Sequence, residues 1–156
     1  MSLALALALQ AAASGRQALG IYSGWGAFRD AAPLRCFAIA EPLGRRLAAR
    51  PFASIATWPG LAARNQLHVR LSRPRSPSAR VTLSIGERRF ELVAGDADAW
   101  APDARTDAAI VAAIRSGRAM SVETVSARGS PFADTYALKG AATAIDASAV
   151  GCVPQR

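Results

Sequence analysis

Histidine, lysine and cysteine are almost absent: one His (His68), one Lys (Lys139) and two Cys (Cys36, Cys152) in 156 residues. One imidazole and two distant sulfurs leave a transition-metal site without its usual ligands, so no metal and no cofactor are expected. The cysteines are 116 positions apart (152 − 36), which excludes a C-x-x-C redox pair and close-spaced zinc ligation. Also lacking is an apolar stretch near the roughly 20 residues a membrane-spanning helix needs. Neither standard glycine-rich phosphate loop occurs.

What is plentiful is arginine and alanine. With one lysine among 19 cationic residues, 18 are Arg, and the net charge is +8. A GC-rich genome accounts for Arg over Lys but not for the excess of base over acid, which favours an anionic partner. Hydrophobic residues make up 51% of the chain, enough for one ordinary domain with a core, although alanine buries little area. Residues 3–9 read LALALAL, followed by Gln10 and Ala11, Ala12 and Ala13. A short apolar run before small residues in A-x-A spacing is a secretory signal pattern. Residues 1–13 therefore read as a signal peptide and 14–156 as a single β-rich domain. No Lys or Arg precedes the run, and an Ala-rich terminal helix is the alternative. Export would place Cys36 and Cys152 where a disulfide persists; in a reducing compartment they would be two buried thiols.

Hydrophobic alternation marks most of the chain. Residues 20–28 (GIYSGWGAF) carry strand-type aromatics loosened by glycines, and residues 34–40 put Leu34, Cys36 and Ala38 on one face. Residues 53–57 form a short strand stopped by Trp58-Pro59-Gly60. In 66–72, Leu67, Val69 and Leu71 face one way, His68 and Arg70 the other. Two prolines make 73–78 a loop. Residues 81–85 and 88–93, joined at Gly86-Glu87, form the clearest hairpin. A helix is expected from Thr106 as N-cap, with Ile110, Val111 and Ile114 as its stripe and Gly117 as C′ residue. Residues 120–125 and 132–138 return to strand, and 141–150 form a short Ala-rich helix with Ile145 and Val150 inward. The fold class is mainly β with one or two short helices, an antiparallel β-sandwich or barrel-like domain. A parallel βαβ sheet is the rival, and too few helices separate the strands to favour it.

Several segments carry a resemblance: Trp25 and Cys36, VTLSIGERRFEL at 81–92, WAPDARTDAAIVAAIRSGRAMSV at 100–122, SARGSPFADTYALKG at 126–140 and a last cysteine at 152. Over roughly 20–153 the chain resembles the invasion-associated locus B family of alphaproteobacterial exported envelope proteins. The basic loop 73–78 and the scarcity of lysine depart from the family pattern. The resemblance implies an exported, β-rich protein linked in pathogens to host-cell entry. It supplies no catalytic residues.

The residues themselves point the same way. His68 sits on an outward strand phase with no acid near it in sequence. Ser130, in Arg-Gly-Ser-Pro, lacks the G-x-S-x-G elbow and reads as a turn. Asp96, Asp98, Asp103 and Asp107 cluster around Trp100. They read as turn and capping residues, with a cell-wall or sugar-directed hydrolase as the alternative; an EF-hand does not fit their spacing. The basic set Arg70, Arg73, Arg75, Arg80, Arg88 and Arg89, with Arg64 just before it, is expected to form an anion- or partner-binding patch around the 73–78 loop. No aromatic lies between Gln66 and Arg89, which speaks against a nucleic-acid partner. The expectation is a non-enzymatic periplasmic or secreted protein that meets an unknown protein or an anionic envelope component. Mass spectrometry of the exported protein should find Ser14 as the first residue; an intact Met1 on exported material would refute the signal.

Overall fold

The computed structural model describes residues 15–44 and 49–154, so the expected signal peptide and part of the basic stretch 44–50 lie outside the described residues. Ten strands are described: β1 (Arg16–Tyr22), β2 (Trp25–Ala31), β3 (Leu34–Ala40), β4 (Phe52–Trp58), β5 (Ala63–Arg70), β6 (Val81–Ile85), β7 (Arg88–Ala94), β8 (Asp98–Trp100), β9 (Ala119–Val125) and β10 (Pro131–Ala137). Two helices accompany them, α1 (Ala104–Ser116) and α2 (Ala141–Gly151). Every ladder is antiparallel, in the order β1-β2-β3-β4-β5-β8-β7-β6-β9-β10. The mainly β, antiparallel expectation holds and the parallel rival is gone. The sheet is open rather than a closed barrel. Its two ends nevertheless approach: Trp25 Nε1 donates to the Ala137 carbonyl at 2.8 Å, and Leu43 N–H to the Thr135 carbonyl at 2.7 Å. The core is enclosed in sandwich fashion.

The glycine-loosened segment 20–28 is a hairpin turning at Ser23-Gly24, not one strand. Its strand glycines are covered by aromatics two residues on. A Cβ on Gly26 would lie 2.6 Å from the Phe28 ring, and one on Gly20 2.6 Å from the Tyr22 hydroxyl. Those rings fill the space a side chain would have taken. Alternation elsewhere translates directly into burial. Leu67, Val69 and Leu71 are buried, as are Val81, Leu83 and Ile85, and Met120, Val122 and Thr124.

Three helix details differ from the expectation. The N-cap of α1 is Asp103, whose Oδ1 accepts from Thr106 N–H at 2.7 Å, which puts Thr106 inside the first turn. Gly117 caps the other end in extended geometry (φ −84°, ψ 161°), not the left-handed C′ form. Glycine is required there by space, because a Cβ would sit 2.6 Å from Ile85 Cγ2. In α2, Ile145 is buried but Val150 is 69% exposed. Five residues on is about 140° around a helix of 3.6 residues per turn, so the two cannot share a face.

Alanine explains how α2 docks. Ala27, Ala38, Ala40 and Ala53 on the inner sheet face meet Ala141 and Ala144 of the helix in one core. Small side chains let backbone approach backbone, and α2 lies across β1, β2 and β3. The Cys36–Cys152 disulfide, with a Cα–Cα separation of 5.8 Å, pins the end of that helix to β3. Closing a loop of this length contributes about 4–5 kcal/mol in the chain-entropy model. At the helix start Gly140 (φ +86°) is packed so tightly that a Cβ would run into the Tyr22 carbonyl. Gly86 (φ +56°), in the β6–β7 turn, has open space around it. Gly86→Ala should therefore cost about 1–2 kcal/mol from backbone strain alone, and Gly140→Ala clearly more; equal shifts in the urea midpoint would contradict the close approach.

Candidate functional site

The acidic residues around Trp100 are dispersed by the fold. Asp103 is the α1 cap, and the Thr106 N–H it accepts holds its carboxyl below the usual range. Asp107 is buried and accepts the Leu67 N–H at 2.9 Å. Leu67 lies just beyond the residues of β5 that β8 pairs, so the helix satisfies a strand donor that the sheet does not. Burial raises the Asp107 carboxyl above its ordinary value. Asp98 takes a different role. No group of three or more His, Cys, Asp or Glu side chains able to hold a metal occurs among the described residues.

His68 does have an acid beside it. Its Nε2 lies 2.8 Å from Asp98 Oδ1, and Arg70 donates to both oxygens of the same carboxylate at 3.2 Å. The His68 ring stacks on Trp100 (5.2 Å, 9°) and meets Phe52 edge-on (5.1 Å, 89°). The three-residue strand β8 creates this cluster by pairing Trp100 with His68 and Asp98 with Arg70. Thirty positions separate His68 from Asp98. The only signal in the sequence was the alternation Asp98-Ala99-Trp100, too short to read as a strand. Opposite a carboxylate, Nε2 is the protonated nitrogen. Ser54 is the cross-strand partner of His68 on β4, yet among the described residues no hydroxyl hydrogen-bonds the imidazole.

A second charged group stands at the far end of the same outer face. Arg16 (2.7 Å) and Arg35 (2.8 Å) both bind Asp30. The hydrogen bond from Arg16, then that from Arg35, pulls the Asp30 carboxyl down to about 2. Arg35 also lies over the rings of Phe37 and Trp58. On the same face, toward the opposite strand ends from Asp30, an open depression is lined by Ile21, Phe28, Ile39 and Phe52.

The basic set does not form one patch. β5 and β6 are separated in the sheet by β8 and β7, so Arg70 is distant in the ladder from Arg80, and Arg70 is paired with Asp98. Arg80 lies 3.7 Å from Glu91, and Arg89 bonds Ser84 and approaches Glu123 at 3.9 Å. Arg88 is not on the outward phase: it shares the phase of Phe90 and lies over that ring at 4.9 Å. Arg73 lies over Phe132 at 5.6 Å. Arg75 belongs to the framework, since its guanidinium donates to the carbonyls of Gly95, Ser76, Pro77, Ala79 and Ala94 at 2.6–3.1 Å. It ties the loop after β5 to the β7–β8 turn. Arg75→Ala should lower stability by about 1–2 kcal/mol in denaturant titration, because five backbone acceptors, three of them in part-buried bonds, lose a charged donor. Arg80→Ala, at a side chain 81% exposed, should stay within about 0.5 kcal/mol.

Comparison with known proteins gives two matches. A family model described as "Invasion associated locus B (IalB) protein" matches residues 54–149. The fold is similar to that in a crystal structure of invasion associated protein b from Bartonella henselae, with a TM-score of 0.61 and 17% identity, covering 84% of this chain and 95% of that one. At that identity the likeness concerns the fold alone. No curated protein matches the chain.

Proposed function

The chain belongs to the invasion associated locus B family, and on that premise we propose that it is an exported, non-catalytic protein of the cell envelope that acts by binding. The observation that carries this reading is the Cys36–Cys152 bond across 116 positions. Such bonds form and persist in oxidising compartments and are rare where glutathione keeps thiols reduced. No described helix is long and apolar enough to cross a membrane, which fits a protein that meets its partner from the aqueous side. The charge of +8 favours an anionic envelope component as that partner, and the separation of Arg70 on β5 from Arg80 before β6 and from Arg88 and Arg89 on β7 favours contact at a local site over a broad basic field.

The hydrolase alternative is the less favoured reading. Asp103 caps a helix, Asp107 satisfies a strand N–H, and Asp98 is shared between His68 and Arg70. These three carboxyl groups are engaged within the fold, which disfavours pairing them at one substrate bond.

Cell fractionation with thiol alkylation tests the reading. The protein should appear in the periplasmic or secreted fraction, with both cysteines protected until reductant is added. A cytosolic protein with alkylated cysteines would refute it. A panel of peptidoglycan and glycan substrates should show no turnover; turnover abolished by Asp98→Asn would reinstate the enzyme.

A further inference from the structure

The strongest unassigned feature is a depression of about 490 Å³ lined by Arg73, Pro74, Ser126, Ala127, Arg128 and Ser130. It lies between the loop after β5 and the turn that joins β9 to β10. No carboxylate lines it. Asp134, the acid tied to this loop, is buried and its Oδ2 accepts the Ser72 N–H at 2.8 Å.

Both walls are held rigidly. Ala127 N–H donates to the Pro74 carbonyl (2.9 Å) and Ser76 N–H to the Val125 carbonyl (2.8 Å). Arg75 pairs with Ser126 as an isolated bridge, while its guanidinium is spent on five backbone carbonyls. The turn is closed by Ser126 N–H to the Ser130 carbonyl (2.9 Å), Gly129 N–H to the Ser126 carbonyl (2.8 Å) and Ser130 N–H to Ser126 Oγ (3.2 Å). Gly129 (φ +87°) supplies the left-handed residue that turn needs.

Against this fixed frame two guanidinium groups remain uncommitted to any acid. Arg73 has only the Phe132 ring beside its guanidinium, which leaves its donors unpaired. Arg128 makes no hydrogen bond, ion pair or ring contact within the described residues and is exposed. A guanidinium presents paired N–H donors in a fork that matches the oxygens of a phosphate, and the hydrogen-bonded backbone of both walls fixes where the two side chains start.

We propose that this depression is a binding site for a phosphate-ester group, gripped by Arg73 from one wall and Arg128 from the other, with the Ser130 hydroxyl as a further donor. The assignment rests on the reading of the protein as a binder of anionic envelope components and gives that reading a location. The apolar share of the wall, Pro74 and Ala127, suits a ligand whose phosphate is attached to carbon rather than free in solution.

The test uses the oxidised full chain. Binding is measured by calorimetry with inorganic phosphate and by co-sedimentation with phosphatidylcholine vesicles, with and without phosphatidylglycerol. Arg73→Gln and Arg128→Gln should each weaken binding about tenfold. The double variant Arg64→Gln/Arg118→Gln, which removes two exposed, unpaired charges elsewhere, should leave binding nearly unchanged. Because Arg128 has no partner among the described residues, its variant reports on the ligand and not on folding; thermal melting verifies that Arg73→Gln is folded. Binding to phosphatidylglycerol vesicles that inorganic phosphate fails to displace assigns the site to a lipid headgroup; displacement by phosphate assigns it to phosphate in general, and both support it. If the control double variant weakens binding as much as the site variants, attraction is by net charge and the site is refuted while the anionic-partner reading stands. If neither probe binds the wild-type chain, the site and the anionic partner both fall, and the envelope location is judged by fractionation alone.

Discussion

The docking of α2 across β1, β2 and β3 is the constraint on which the rest depends. It brings an Ala-rich helix against an Ala-lined sheet face, an arrangement that packs closely but removes little apolar area per residue from water. Two devices compensate. At the start of the helix, Gly140 admits the Tyr22 carbonyl at a distance no side chain would tolerate. At its end, Cys152 is bonded to the fully buried Cys36. The hairpin β1–β2 and the last strand β10, joined through Trp25 Nε1 and the Ala137 carbonyl, take their relative positions from that clamp.

Much of this was legible in the sequence because it rests on local chemistry. Period-two alternation located β3, β5, β6, β7 and β9 and the faces they bury, and Gly86-Glu87 marked the β6–β7 turn. The cysteine pair was legible by count and spacing. What escaped was set by register between distant strands. His68 looked isolated because β8, three residues long, inserts between β5 and β7 and delivers Asp98 and Trp100 from thirty positions away. Arg75 looked like one charge among several because its acceptors are backbone carbonyls, which carry no residue-type signal. Gly117 was expected for its backbone freedom and is needed instead for the room it leaves to Ile85 and Leu138.

The sheet thus divides its outer surface by chemistry. Over β1–β5 and β8 it carries rings, with Phe28 stacked on Phe37, Arg35 over Phe37 and Trp58, and His68 on Trp100. Over β6, β7 and β9 it carries short polar and charged side chains such as Ser84, Arg89 and Glu123. Charged partners on the ring-bearing side are balanced locally, Asp30 by two arginines and Asp98 by one arginine and the histidine. The Asp30 group thus keeps one net positive charge, and more stands at guanidinium groups such as Arg128, which has no counter-ion among the described residues.

The length of the loop closed by the disulfide has a consequence for the order of events during synthesis. Cys36, within β3, emerges 116 residues before its partner, so the first thiol must wait, unpaired, while the strands β4 to β10 follow it. Any premature capture of Cys36 by another thiol would occupy the β3 position on which α2 closes. The last helix is then both the final piece to arrive and the one that certifies the barrier between native and mispaired molecules, since only a chain already folded around Cys36 presents it to Cys152 at bonding distance.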